Sequence, residues 1–123
     1  MLDKADAFLN AGYNVLLVDF IGAGGSEGVQ TTIGYHEAVN VRTCFEYLRS
    51  AGEDNIILFG TSMGAVAILR SISDLGVRPE AIIIECPFGT MRQTVMARFT
   101  MMNLPSFPMA DLLVFWGGLE NGF

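Results

Sequence analysis

The stretch NIILFGTSMGA, residues 55–65, decides the fold. Its first half is a continuous run of β-branched and aromatic residues without polar alternation, the pattern of a strand buried on both faces of a parallel sheet. Its second half turns through Gly60-Thr61-Ser62-Met63-Gly64 into MGAVAILRSISDLG, which predicts a helix over 63–75 stopped by Gly76. Strand, tight turn with a serine at its tip, then helix is the arrangement that exposes a serine as a nucleophile. So sharp a turn forces the serine into a strained backbone conformation and leaves no room for side chains two positions to either side. Gly60 and Gly64 supply that room. The backbone N–H of Met63, at the helix start, points at the same space and offers one oxyanion donor at the favourable end of the helix dipole. The plainer alternative is that Ser62 merely caps the helix.

The same alternation extends to both sides. Leu2, Ala5, Phe8 and Leu9 recur at helical spacing up to the stop at Ala11-Gly12, and YNVLLVDF, residues 13–20, follows as a second buried strand. IGAGGSEG, residues 21–28, has too many glycines for regular structure and marks a turning loop. A helix from about Gly34 to Ser50 carries Ala38, Val41, Phe45 and Leu48 on one stripe. AIIIECP, residues 81–87, is the third strand, closed by Pro87. Helices alternating with continuous apolar strands predict a doubly wound α/β sheet of parallel strands. Beyond Pro87 the pattern changes to a segment rich in methionine and aromatic residues, with helices expected near 90–102 and 107–116. No repeat, low-complexity tract or linker divides the chain.

Composition narrows the function. Seven Lys and Arg stand against thirteen Asp and Glu, a formal charge of −6, and the basic residues are scattered, which argues against nucleic acid as a partner. Mean hydropathy is high at +0.43, yet no apolar run reaches the about 18 residues of a spanning helix. Cys44 and Cys86 lack metal-ligand spacing and read as free thiols in a reducing compartment.

GYNVLLVDFIGAGGSEG, followed some thirty residues later by GTSMGA, resembles the α/β-hydrolase superfamily, and within it the single-domain esterase, lipase and serine-aminopeptidase-like members. Asp19, Gly22, Gly24, Ser26 and Gly28 reproduce that family's Asp-x-x-Gly-x-Gly-x-Ser-x-Gly loop. Ile21 departs from it, since many members have arginine there. The resemblance runs through essentially all 123 residues. It implies that Ser62 is the nucleophile and the Met63 N–H half of the oxyanion hole, and that Asp19 organises the glycine loop and the elbow, with a catalytic acid as the alternative reading of Asp19. Glu85, at the end of the third strand, is a candidate triad acid, with a glutamate bonded to nearby backbone as the bland alternative.

The family's chain order is serine, acid, histidine, and no histidine follows Ser62. His36 precedes it, and at about 100° per residue points about 160° away from the Ala38–Leu48 stripe. As a candidate base it competes with a solvent-facing reading. The resemblance also implies one more strand between 14–19 and 55–60, its oxyanion loop, and two later strands carrying acid and histidine; none has a counterpart in these residues. The expectation is therefore a single but incomplete α/β-hydrolase domain over 1–123, its central portion, with three parallel strands, flanking helices and a cap-like segment over 88–118.

Function follows as expectation: a serine hydrolase of a carboxylic ester or related acyl bond, working through an acyl-enzyme on Ser62 and weakly active or inactive as this chain alone. Amidase or aminopeptidase, thioesterase or acyltransferase chemistry on the same elbow stays open. So does a non-catalytic pseudo-hydrolase or assembly module. A small acyl substrate is implied, with no metal or organic cofactor and no membrane span. Self-association through exposed sheet edges and a cytoplasmic location complete the expectations.

Overall fold

The computed structural model describes residues 2–121. Five helices and two strands follow in the order α1 (Leu2–Asn10), α2 (Glu37–Ser50), β1 (Ile57–Thr61), α3 (Met63–Leu75), β2 (Ala81–Glu85), α4 (Met91–Met101) and α5 (Met109–Asn121). The chain divides into two compact units, Met1–Thr31 and Thr32–Phe123.

In the first unit, α1 buries Ala5 and ends at the expected stop. Gly12 takes φ 89 and donates to Leu9 O, while Tyr13 N–H reaches back to Phe8 O, so two helix-end carbonyls are satisfied by a left-handed glycine. Residues 13–20 correct the sequence reading. Among the described residues they pair with no strand, and Tyr13, Leu16, Leu17 and Val18 are exposed, so the sheet has two strands rather than three. The cause is that a strand exists only where a neighbour takes its N–H and C=O groups. An apolar, β-branched run records a preference for that partner and does not supply it.

In the second unit, β1 and β2 run parallel, in register from Ile57 opposite Ala81 to Thr61 opposite Glu85. α3 connects them, and its limits match the sequence reading residue for residue. α3 packs on both β1 and α2. Small side chains make that contact close: Ala65 and Ala67 are fully buried, beside Ile68 and Ser71 of α3, Ala38 and Val41 of α2, and Ile56 and Val77 at the strand and helix ends. The Ala38–Leu48 stripe faces inward as read, with Phe45 and Leu48 half-buried. Burial pushes the Cys44 thiol on the same helix up. Ile57, Ile82 and Ile83 remain partly exposed, against the expectation of strands covered on both faces.

α2 begins at Glu37, three residues later than the periodicity suggests. α4 and α5 lie close to the expected helices, α5 running five residues further. Thr90 caps α4 by accepting from Gln93 N–H, and Arg92 of α4 meets Asp111 of α5 at 2.6 Å, which raises the guanidinium pKa. α5 turns Ala110 inward and leaves Leu112, Leu113, Phe115, Trp116 and Leu119 exposed. No described helix is long and apolar enough to cross a membrane.

Candidate active site

Ser62 stands between the end of β1 and the start of α3 with φ 53 and ψ −112, a region that side-chain-bearing residues rarely occupy. Its side chain is exposed and makes no capping hydrogen bond to α3, which removes the simple helix-cap explanation for a serine here. The strain is held from both sides. Ser62 N–H donates to Glu85 O at 2.8 Å, and Ser62 O accepts from Val66 N–H at 3.1 Å. A Cβ on Gly60 would lie 2.6 Å from the carbonyl carbon of Gly64 and 2.7 Å from the Ile68 Cδ1. The helix that starts at Met63 is thirteen residues long, so the partial positive charge of its N-terminus stands directly after Ser62.

Glu85 ends β2 half-buried, and its Oε2 accepts from the Thr61 hydroxyl at 3.2 Å. Its carboxylate is thus bonded to the elbow's own strand. His36 is exposed as the helical angle indicates. Its backbone N–H donates to Thr32 Oγ1, and its ring meets the Tyr35 ring edge to face at 5.0 Å. The Arg70 guanidinium lies 4.6 Å from the centre of that Tyr35 ring. No hydrogen bond joins His36 to Ser62 among the described residues.

Asp19 belongs to the first unit, where it organises the glycine loop. Its Oδ2 accepts from Gly25 N–H at 2.9 Å, and its carbonyl accepts from the Ser26 hydroxyl at 2.7 Å. A Cβ on Gly24, whose φ is +59, would fall 2.3 Å from that carboxyl group. The loop also closes on itself through Gly22 N–H to Glu27 O.

Glu37 was missed by sequence reasoning. It is 2% exposed, and its carboxylate collects the Thr32 N–H at 2.8 Å, the Thr32 hydroxyl at 2.7 Å and the Gly34 N–H at 2.8 Å. These bonds hold the segment leading into α2, and hence the backbone that carries His36. The spacing of five between Thr32 and Glu37 is not that of a capping box, so no local motif signalled it.

Three comparisons bear on this arrangement. The chain is 29% identical over 120 residues to YqkD, an uncharacterised protein of Bacillus subtilis (strain 168), covering 94% of this chain and 39% of that protein. It is 31% identical over 87 residues to the lysophosphatidylserine lipase ABHD12 of Gallus gallus, and 30% to that of Mus musculus; each match covers 67% of this chain. The chain thus spans about two fifths of the length of the first relative and about a fifth of the lipases, 22% and 21% respectively. No solved structure gives a significant match. The profile described as serine aminopeptidase, S33, matches residues 1–115, almost the whole chain, and places it in that family of α/β-hydrolases.

Proposed function

We propose that Ser62 is the nucleophile of a hydrolase acting on a carboxylic ester or closely related acyl bond. The observation that carries this reading is the backbone of Ser62. A non-glycine residue is held at φ 53 between strand and helix, with its hydroxyl exposed and unused as a cap. Strain of that kind is maintained where it aims a side chain. In the reaction, Ser62 Oγ adds to the acyl carbon while its proton passes to a general base. The Met63 N–H stabilises the oxyanion, and the leaving alcohol departs with a proton. Water then cleaves the acyl-enzyme by the same steps. The ABHD12 relatives are lysophosphatidylserine lipases, which favours a carboxylic ester over an amide. Amide, thioester and acyl-transfer chemistry use the same elbow and differ in the pocket.

His36, turned to Tyr35 and solvent, is assigned no part as base, so this chain by itself turns over esters weakly or not at all. The same observation favours a second reading, a non-catalytic module that retains the elbow. The run 13–20, mostly exposed and pairing with no strand among the described residues, supports self-association of the isolated chain. Labelling with a fluorophosphonate separates the two readings. Covalent modification at Ser62, abolished by Ser62→Ala and unaffected by His36→Ala, supports the nucleophile. A chain that stays unlabelled at millimolar probe supports the non-catalytic module.

A further inference from the structure

The register of the sheet sets Thr61 directly opposite Glu85. From that place Glu85 holds two consecutive residues of the elbow with two different atoms. Its main-chain oxygen accepts from Ser62 N–H at 2.8 Å, and its carboxylate Oε2 accepts from the Thr61 hydroxyl at 3.2 Å. β2 ends at Glu85, and Cys86 leaves the strand at φ 49, so the ladder offers no later rung to keep Thr61 and Ser62 in place.

We infer that the Thr61–Glu85 side-chain pair positions Ser62, fixing the strand end from which its strained backbone departs; this rests on reading Ser62 as the nucleophile. A strained conformation persists only where its surroundings over-determine it. On the helix side Val66 N–H holds the Ser62 carbonyl. On the strand side the main-chain bond from Ser62 N–H to Glu85 O holds Ser62, and the hydroxyl-to-carboxylate bond adds a restraint one residue earlier. At 3.2 Å the hydroxyl-to-carboxylate contact is a long hydrogen bond, an added restraint at the open end of a two-stranded ladder. In this role Glu85 acts through Thr61, as a positioning residue.

Amide hydrogen exchange of Ser62, followed by NMR in the intact chain, tests the pair without requiring turnover. In Thr61→Val and in Glu85→Ala the Ser62 N–H is expected to exchange about tenfold faster or more, while Ile68 N–H in the middle of α3 keeps its rate. Thr61→Ser and Glu85→Gln retain a donor and an acceptor and restore slow exchange. The double variant Thr61→Val/Glu85→Ala is no faster than either single one, since each already breaks the same contact. The inference is overturned if the Ser62 rate is unchanged in the single variants, if Ile68 accelerates equally, or if the two effects add. Fluorophosphonate labelling of the same proteins reports on the nucleophile separately. An unlabelled wild-type chain whose Ser62 amide responds as expected removes the nucleophile and keeps the pair, and labelling slowed in step with faster exchange supports both.

Discussion

Gly60 and Gly64 meet backbone to backbone: a Cβ on Gly60 would stand 2.6 Å from the Gly64 carbonyl carbon and 2.7 Å from its oxygen. The end of β1 and the first turn of α3 are therefore closer than any side chain permits. Gly60→Ala is expected to destabilise the chain by about 2 kcal/mol and to displace Ser62, because the obstruction is main chain and cannot swing aside. Urea unfolding measures the loss. A midpoint equal to wild type would show that the elbow yields freely.

Ser62 holds φ 53 at an energetic cost that glycine avoids. Ser62→Gly should raise stability by about 1 kcal/mol relative to Ser62→Ala, and both should abolish covalent labelling. Thermal unfolding of the two variants side by side checks the sign, and a less stable glycine variant would mean the turn carries no strain.

The Glu37 carboxylate is buried and accepts three hydrogen bonds from Thr32 and Gly34. Glu37→Ala leaves two backbone N–H groups without that partner and should cost about 3 kcal/mol. Asp54→Ala, which breaks an ion pair to Arg49 whose side chains are 48% and 80% exposed, should cost less than about 0.5 kcal/mol. Comparable losses in the two variants would contradict the contrast.

Cys86 is exposed, whereas Cys44 is half-buried with its thiol pKa raised by desolvation. The raised pKa keeps Cys44 protonated to higher pH, and the thiolate is the species that reacts. Iodoacetamide should therefore modify Cys86 first at neutral pH, with Cys44 following as pH rises or the chain unfolds. Mass spectrometry of the time course decides it, and equal rates in the folded chain would count against the burial.

Leu16, Leu17 and Val18 lie on an exposed segment whose main chain pairs with no strand among the described residues. Sedimentation should show mass increasing with concentration, and Leu17→Lys should reduce it by adding charge to an apolar edge. A wild-type chain that stays monomeric at high concentration would rule out that edge as a contact.

The β1–α3 elbow was legible to the residue because Gly60, Gly64 and Gly76 mark places where local geometry excludes other residues. The outward direction of His36 followed from helical angle alone. The start of α2 was set three residues early because residues 32–36 are shaped by the Glu37 carboxylate, and a side-chain clamp has no periodicity. The strand expected at 14–19 had the right composition and no pairing partner among the described residues.

By itself, the sequence determined the alternation of helix and strand, the sharp turn at Ser62 and the family, since these depend on periodicity, glycine placement and motif spacing within short windows. Only the tertiary structure decided that 13–20 pairs with no strand among the described residues, that Thr61 faces Glu85, and what the Glu37 and Glu85 carboxylates hold. Strand pairing and carboxylate contacts join groups 5 and 24 positions apart along the chain, and their partners are chosen by packing in space.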